Sequence, residues 1–247
     1  GLALPAQADL DPYEARYSIY RNGKLTGKLD IRLQNTGGRW EIQSEGGGTH
    51  GLARILRASD RERVTGHVED GRFVPQNYVR HTRVAGIDDH WETSFDWPAD
   101  AATVVHDGKN TFKLPLGGEA LDPLSLKLEM RRRLNEPDPD LHFLMVEEDE
   151  IDEQQFRTLD SEWLETSLGC VETLPIEKVR TNSKRYTRAW HAPVFGNIEV
   201  RIEHGKTGGD HLEMRITELT YAGEEIQPSP GCAAMQNAAR PGAAGDS

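Results

Sequence analysis

The sequence has no long hydrophobic run and only two cysteines. It has 247 residues, of which 36% are hydrophobic. No apolar stretch approaches the roughly 20 residues that a membrane-spanning helix needs. The net charge is −12, which disfavours nucleic acid and anionic lipid headgroups as partners because both require a basic surface. The sequence therefore predicts no transmembrane segment and no nucleic-acid partner.

Recognisable catalytic and ligand motifs are also missing. Gly46–Gly48 is not followed by a lysine-bearing helix, so it is not a phosphate-binding loop. The acidic run Glu147–Glu153 lacks the glycine and the ligand intervals of a calcium loop. Asp88, His90 and Glu92 alternate along a predicted strand, which is typical of a solvated outer face more than of a metal site. We therefore predict no catalytic residue, no cofactor and no metal.

The chain does contain many short segments in which apolar and polar residues alternate. This period of two is typical of half-buried antiparallel strands. The pattern predicts a mostly β fold: a large curved antiparallel sheet, or an open or partly closed barrel, with meander connections and one covering α-helix. We assign residues 9–227 to a single β domain. Strands are predicted at 12–20, 26–34, 39–46, 60–69, 72–84, 89–97, 102–106, 110–114, 142–148, 153–160, 162–167, 170–180, 185–191, 197–204 and 211–221.

One segment, at about 122–135, has helical periodicity instead. Asp122 is a good N-cap, and Pro123 suits the first helical position. The segment has an apolar face that includes Leu124 and Leu128, and we expect this face to pack across the open side of the sheet. The three arginines at 131–133 favour a solvated helix end, with a phosphate or partner site as the alternative.

Two features suggest export, the first eight residues and the pair of cysteines. Residues 1–8, GLALPAQA, end in small residues spaced as in a signal-peptide cleavage site, and the alternative is a flexible alanine-rich terminus. Cys170 and Cys232 are expected to form one disulfide, with two free thiols as the alternative. The tail 228–247 is predicted to be tethered by Cys232 and otherwise flexible. Together these features favour the periplasm.

The order of several short motifs resembles the bacterial exported family called domain of unknown function 3108. The resemblance covers nearly all of residues 12–221 and implies an envelope-associated β domain, with no catalytic residue to carry over. The cysteine pair is not part of the family pattern. The motifs that carry the resemblance are YSIYRNGKLTGKLDIRL (17–33), THGLARIL (49–56), DPLSL (122–126), ETSLGCVETLPIEKV (165–179) and RAWHAPVFGNIEVRIE (188–203).

Three functions remain open at this point. The first is a non-catalytic binding or carrier domain for a hydrophobic, lipid-like ligand, because large aromatic side chains share one predicted strand face. The second is a module that binds an envelope protein through an exposed patch. The third is a glycan-active enzyme with a carboxylate pair. For the first function, the predicted ligand-binding residues are Trp91, Phe95, Trp97, Leu124 and Leu128.

Overall fold

The computed structural model describes residues 11–50, 58–181 and 184–238. The predicted signal-peptide segment 1–8 and the end of the predicted tail, 239–247, lie outside the described residues. Within the described part, no helix is both long and apolar enough to cross a membrane.

Strands dominate the described residues. The first half contains β1 Tyr13–Arg21, β2 Lys24–Thr36, β3 Arg39–Gly48, β4 Ser59–Glu69, β5 Arg72–Val84, β6 Ile87–Asp96, β7 Ala101–His106 and β8 Asn110–Pro115. The second half contains β9 His142–Glu147, β10 Glu150–Thr158, β11 Glu162–Thr166, β12 Gly169–Lys178, β13 Arg185–Ala192, β14 Ile198–Lys206, β15 His211–Tyr221 and β16 Glu224–Glu225. The helices are α1 Pro123–Arg133 and α2 Cys232–Ala238, with a 3-10 turn at Pro193–Phe195.

These strands form one antiparallel sheet that does not close. Its strand order is β8-β7-β6-β5-β4-β3-β2-β1-β15-β14-β13-β12-β10-β9, with β11 added on β12 and β16 on β15. Most neighbours are consecutive in sequence, as in a meander, and the pairing of β1 with β15 joins the first and last parts of the chain. At the first hairpin, Asn22 and Gly23 both have positive φ, as a tight primed turn requires.

The two edges of the sheet meet through side chains. Val146 of β9 belongs to the same buried cluster as Trp91 of β6 and Val104 of β7. Because buried apolar contacts replace a ladder of hydrogen bonds here, the sheet wraps round without closing as a barrel. The predicted fold class, an open antiparallel sheet with one covering helix, is confirmed.

Helix α1 packs inside this sheet, and its start is fixed by a buried cap. The Asp122 side chain accepts hydrogen bonds from the backbone N–H of Leu124 at 3.0 Å and of Ser125 at 2.9 Å. Leu124 and Leu128 join the main core, while Leu126 and Met130 join a second cluster. Because α1 buries side chains on opposite sides, it is a core element more than a lid.

The arginines at the end of α1 correct one expectation, since they are not a solvated helix end. Arg131 is 2% exposed, donates to the Gly196 carbonyl at 2.9 Å and lies over the Tyr13 ring. Arg132 and Arg133 both donate to Glu129, which is itself buried. Acceptors on α1 itself and on the segment that follows β13 make burial of these cations feasible, and the sequence pattern does not reveal these contacts.

The predicted disulfide between Cys170 and Cys232 is confirmed, with a Cα–Cα distance of 4.7 Å. It fixes the C-terminal segment to β12, and the Cys232 N–H also donates to Glu165 at 2.7 Å. Cys232 begins α2, a helix that the sequence pattern did not predict. A disulfide fits a compartment outside the reducing cytoplasm.

Candidate ligand-binding cleft

The site lies on the inner face of the sheet, which packs against α1. Three successive rows of side chains define it, and each row runs across the strands through directly paired residues. In the first row the paired positions are filled by core side chains, from Tyr13 at one end to Phe112 at the other. The intervening members of this row are Leu33, Ile42, Val64, Tyr78, Thr93 and Val104, all buried. This row is the floor above which the inner face opens.

The next two rows are smaller or more polar. The middle row runs through Ile31, Ser44, Glu62, Arg80, Trp91 and His106. The upper row runs through Leu29, Gly46, Asp60, Thr82 and Asp89. On β3, β4 and β5 these rows include Ser44, Gly46, Asp60 and Thr82, which are too small to fill the space beside α1, so a cleft of about 440 Å³ remains. That volume lies within the range typical of small-molecule sites, about 300–1,000 Å³.

The cleft has one apolar wall and one polar wall. The apolar wall comes from β1, β2, β14 and β15, with Leu124 of α1 adding to it, and consists of Ile19, Leu29, Ile31, Leu124, Ile202, Leu212 and Met214. The polar wall comes from β3, β4 and β5, with one side chain of α1, and includes Ser44, Asp60, Glu62, Thr82 and Lys127. A surface divided in this way suits an amphiphilic guest.

Glycines in β3 create much of the open space. Gly46 lies opposite Leu29, and a Cβ placed on it would lie 3.4 Å from the Leu29 side chain. A side chain at this position would therefore project into the cleft. Gly27 is different, because a Cβ there would lie 2.5 Å from the Gly47 carbonyl oxygen, so close backbone approach requires glycine.

Two carboxyl groups, those of Asp60 and Glu62, stand side by side on the polar wall. Burial, followed by repulsion from Asp60, raises the pKa of the Glu62 carboxyl to about 7. Asp60 accepts a hydrogen bond from the Thr82 hydroxyl. Among the described residues, Glu62 has no hydrogen-bond or ion-pair partner. The polar wall therefore carries a carboxyl group that is desolvated but unpaired.

Lys127, one of the cations that line the cleft, is already paired. Its Nζ donates to Glu199 at 2.6 Å. Burial alone would raise the pKa of Glu199, but Lys127, His191 and Arg131 together outweigh that effect and hold the pKa below its ordinary value. Nearby, burial raises the pKa of the helix cap Asp122 to about 6 although Ser125 donates to it. The cap sets where α1 begins and so places Leu124 and Lys127 at the cleft.

The predicted aromatic residues lie together elsewhere on the inner face. Trp91 is 8% exposed, stacks on His106 at 3.9 Å between ring centroids and donates to Asp89. Phe95 and Trp97 stack at 5.8 Å, and both pack against the cluster that contains Trp91. The structure places none of these three aromatic side chains in the lining of the cleft.

Of the two predicted helix residues, Leu124 lines the cleft and Leu128 lies fully buried in the core. The ligand-binding role of all five predicted residues stays a prediction. The prediction from sequence missed Asp60, Glu62 and Lys127. One signal was available for the first two, because alternation in β4 puts them on the same face as buried Val64.

A group that could hold a metal ion occurs outside the cleft. Ligand atoms of Asp89, His106 and Asp107 all lie within 4.8 Å of one another. Asp89 already accepts hydrogen bonds from Trp91 and His106, and Arg80 lies 3.6 Å from it. Since these donors occupy the Asp89 oxygens and the arginine opposes a cation, the arrangement is explained as a hydrogen-bonded support for the aromatic cluster.

Comparison with solved structures finds a shared fold in one case and weaker similarity in two others. The crystal structure of a β-barrel-like protein of domain of unknown function DUF1849 from Brucella abortus matches with a TM-score of 0.60 and 10% identity, covering 86% of this chain and 98% of that chain. A candidate lipoprotein from Parabacteroides distasonis has a TM-score of 0.33 at 11% identity, over 87% of this chain and 97% of that one. A candidate exported protein with a YmcC-like fold from Bacteroides fragilis has a TM-score of 0.31 at 10% identity, over 84% and 95%. No curated protein matches the chain.

The fold and the cleft together define an open, barrel-like β protein wrapped round helix α1. Residues 13–217 match the family described as protein of unknown function, DUF3108. The chain belongs to this family, in agreement with the motifs of the sequence.

Proposed function

We propose that this protein is a periplasmic or envelope-associated domain that binds or carries a hydrophobic, lipid-like ligand without catalysis. The cleft beside α1 is the observation that carries the proposal. Its apolar wall includes Ile19, Leu29 and Met214, which remain partly exposed within it. When an apolar chain covers this exposed area and displaces water, the complex is stabilised by about 25 cal/mol per Å² of apolar area buried.

Location and the lack of catalytic motifs support the same proposal. The disulfide between Cys170 and Cys232 fits an oxidising compartment. The small residues at the end of segment 1–8 fit export. A carrier also needs no reactive pair, and the two carboxyls of the cleft, Asp60 and Glu62, are neighbours on one wall. They do not face each other across a substrate bond as glycosidase carboxyls do.

Uptake of the neutral fluorophore N-phenyl-1-naphthylamine tests the proposal. The wild-type protein should brighten the fluorophore in a saturable way. Leu29→Asn should weaken binding about tenfold, because it puts an amide on the apolar wall. Lys28→Asn is the matched control, since Lys28 is exposed on the opposite face of β2, and it should bind like the wild type. No uptake by the wild type, or equal loss in both variants, would contradict the proposal.

A second candidate is a module that binds another envelope protein. It is favoured by exposed Trp163 and Val194, 57% and 68% exposed, which flank a groove beside Cys170. A photo-crosslinking residue at position 194, with position 28 as the control, tests it in the native envelope. A protein adduct at position 194 alone would support this candidate, and equal labelling at both positions would remove it.

A further inference from the structure

The distribution of charge in the cleft distinguishes among amphiphilic ligands, if the proposed binding function holds. Each cation near the polar wall has an acidic partner. Lys127 pairs with Glu199 at 2.6 Å, Arg83 pairs with Asp88 at 3.0 Å, and Arg80 lies 2.7 Å from Glu148. These cations are neutralised, so they offer little to an anionic head group.

The two acids of the wall have no such paired partner, and although Lys127 and Arg80 favour the charged form of Glu62, burial and Asp60 outweigh them. Among the residues that the structure describes, neither Asp60 nor Glu62 forms an ion pair, although Thr82 donates to Asp60. Both face the cleft from neighbouring inner positions of β4. A negatively charged head group would place a third anion beside them, whereas a positive one would neutralise them.

The floor beneath these acids contains another unsatisfied polar group. Tyr78 is 6% exposed, and among the described residues its hydroxyl has no hydrogen-bond partner. Of the neighbouring charged groups, Glu62 has the largest effect on the pKa of Tyr78 and raises it. A buried hydroxyl and a desolvated carboxyl without partners both cost free energy. A head group that donates a hydrogen bond to Glu62 reduces the cost of the carboxyl.

We infer that the cleft selects an amphiphile whose head group is cationic and carries N–H donors, such as a primary ammonium, with its chain along β1, β2, β14 and β15. The ammonium lies between Asp60 and Glu62 and donates charge-assisted hydrogen bonds to their oxygens. The chain covers Leu29, Ile19 and Met214. This inference rests on the proposed function and adds the chemical class of the head group.

Competition between two amphiphiles with the same chain tests the inference. In this assay, dodecylamine and dodecanoate compete with bound N-phenyl-1-naphthylamine, each at concentrations below the one at which it forms micelles. The assay uses about 0.15 M salt, where the Debye length of about 8 Å screens the net charge of the whole molecule. Since the chains are identical, the ratio of the two half-displacement concentrations reports the head group. We expect the half-displacement concentration of dodecylamine to be about tenfold lower than that of dodecanoate.

A pair of double variants locates the preference. Asp60→Asn with Glu62→Gln should reduce the ratio to within about threefold. Asp30→Asn with Glu45→Gln removes two acids that face each other on the outer surface, and it should leave the ratio unchanged.

Each contrary outcome has a distinct meaning. Equal or tighter binding of dodecanoate would overturn the head-group inference and leave the carrier function standing. A ratio that is insensitive to Asp60 and Glu62 would also overturn it. A protein that does not take up the fluorophore at all would contradict the carrier function itself.

Discussion

Two regions of the same inner face differ in how they use space. In the aromatic cluster on and beside β6 to β8, Trp91, Phe95 and Trp97 pack with buried residues such as Leu116. In the cleft on β1 to β5, the corresponding rows carry Gly46 and short polar side chains. The first region is filled by its own side chains, and the second is open to a guest.

The difference shows where a cavity comes from in a sheet of this kind. Large aromatic side chains occupy the space that they line, and their polar atoms find partners, as the Trp97 indole does by donating to the Pro75 carbonyl. At Gly46 the missing side chain leaves volume that the neighbouring strands do not fill, whereas at Gly66 the Trp40 ring occupies that space. An inner glycine with no large side chain beside it is therefore a better indicator of a cleft than an inner tryptophan.

The largest expected effect comes from a feature remote from both regions, the disulfide. Changing Cys170 and Cys232 to alanine should cost about 2–4 kcal/mol of unfolding free energy, because the bond closes a long loop in the unfolded chain. Urea denaturation measures this loss, and fluorophore uptake by the folded variant should not change. A loss of uptake under native conditions would mean that the tethered segment supports the cleft.

Matched truncations compare the two regions directly. Leu116→Ala removes a fully buried side chain from the aromatic cluster and should cost about 3 kcal/mol, because it leaves an enclosed cavity. Leu29→Ala removes a partly exposed side chain from the cleft and should cost only about 1 kcal/mol. Equal losses in chemical denaturation would show that the cleft is as tightly packed as the cluster.

The polar wall should give a pH-dependent effect. The pKa of Glu62 is about 7 in the folded protein against 4.5 for an ordinary glutamate, so the folded state holds this proton more tightly. The resulting stability is present below about pH 4.5 and lost as the pH rises through 7. Glu62→Gln should therefore match the wild type near pH 4 and be about 1–3 kcal/mol more stable near pH 8. A constant difference across this range would refute the raised pKa.

Much of the fold was predictable because it follows from local patterns. Alternation located nearly every strand, and Asp122 with Pro123 marked the start of α1 to the residue. The arginines of α1 were not predictable in the same way, since burial of Arg131 depends on the Gly196 carbonyl and the Tyr13 ring, which are remote in sequence.

The cleft was predictable only in part. The disulfide followed from the two cysteines, and Leu124 of the predicted helix does line the cleft. The aromatic residues were chosen because a strand face rich in them must be buried. Whether such a face meets a ligand or its own neighbours depends on the strand register, which brings His106 opposite Trp91. No local pattern carries that information.

Filling the cleft from within is the most direct test of the account. Gly46→Val places a side chain in the cleft. The control Gly47→Val changes a residue whose backbone also lines the cleft, but its side chain lies on the outer face opposite exposed Lys28, at the same cost in strand conformation. Both variants should differ from the wild type by less than about 1 kcal/mol in unfolding free energy. Titration with N-phenyl-1-naphthylamine should show at least about tenfold weaker binding for Gly46→Val and unchanged binding for Gly47→Val. Wild-type affinity in the Gly46→Val protein would contradict the assignment of the ligand to this cleft.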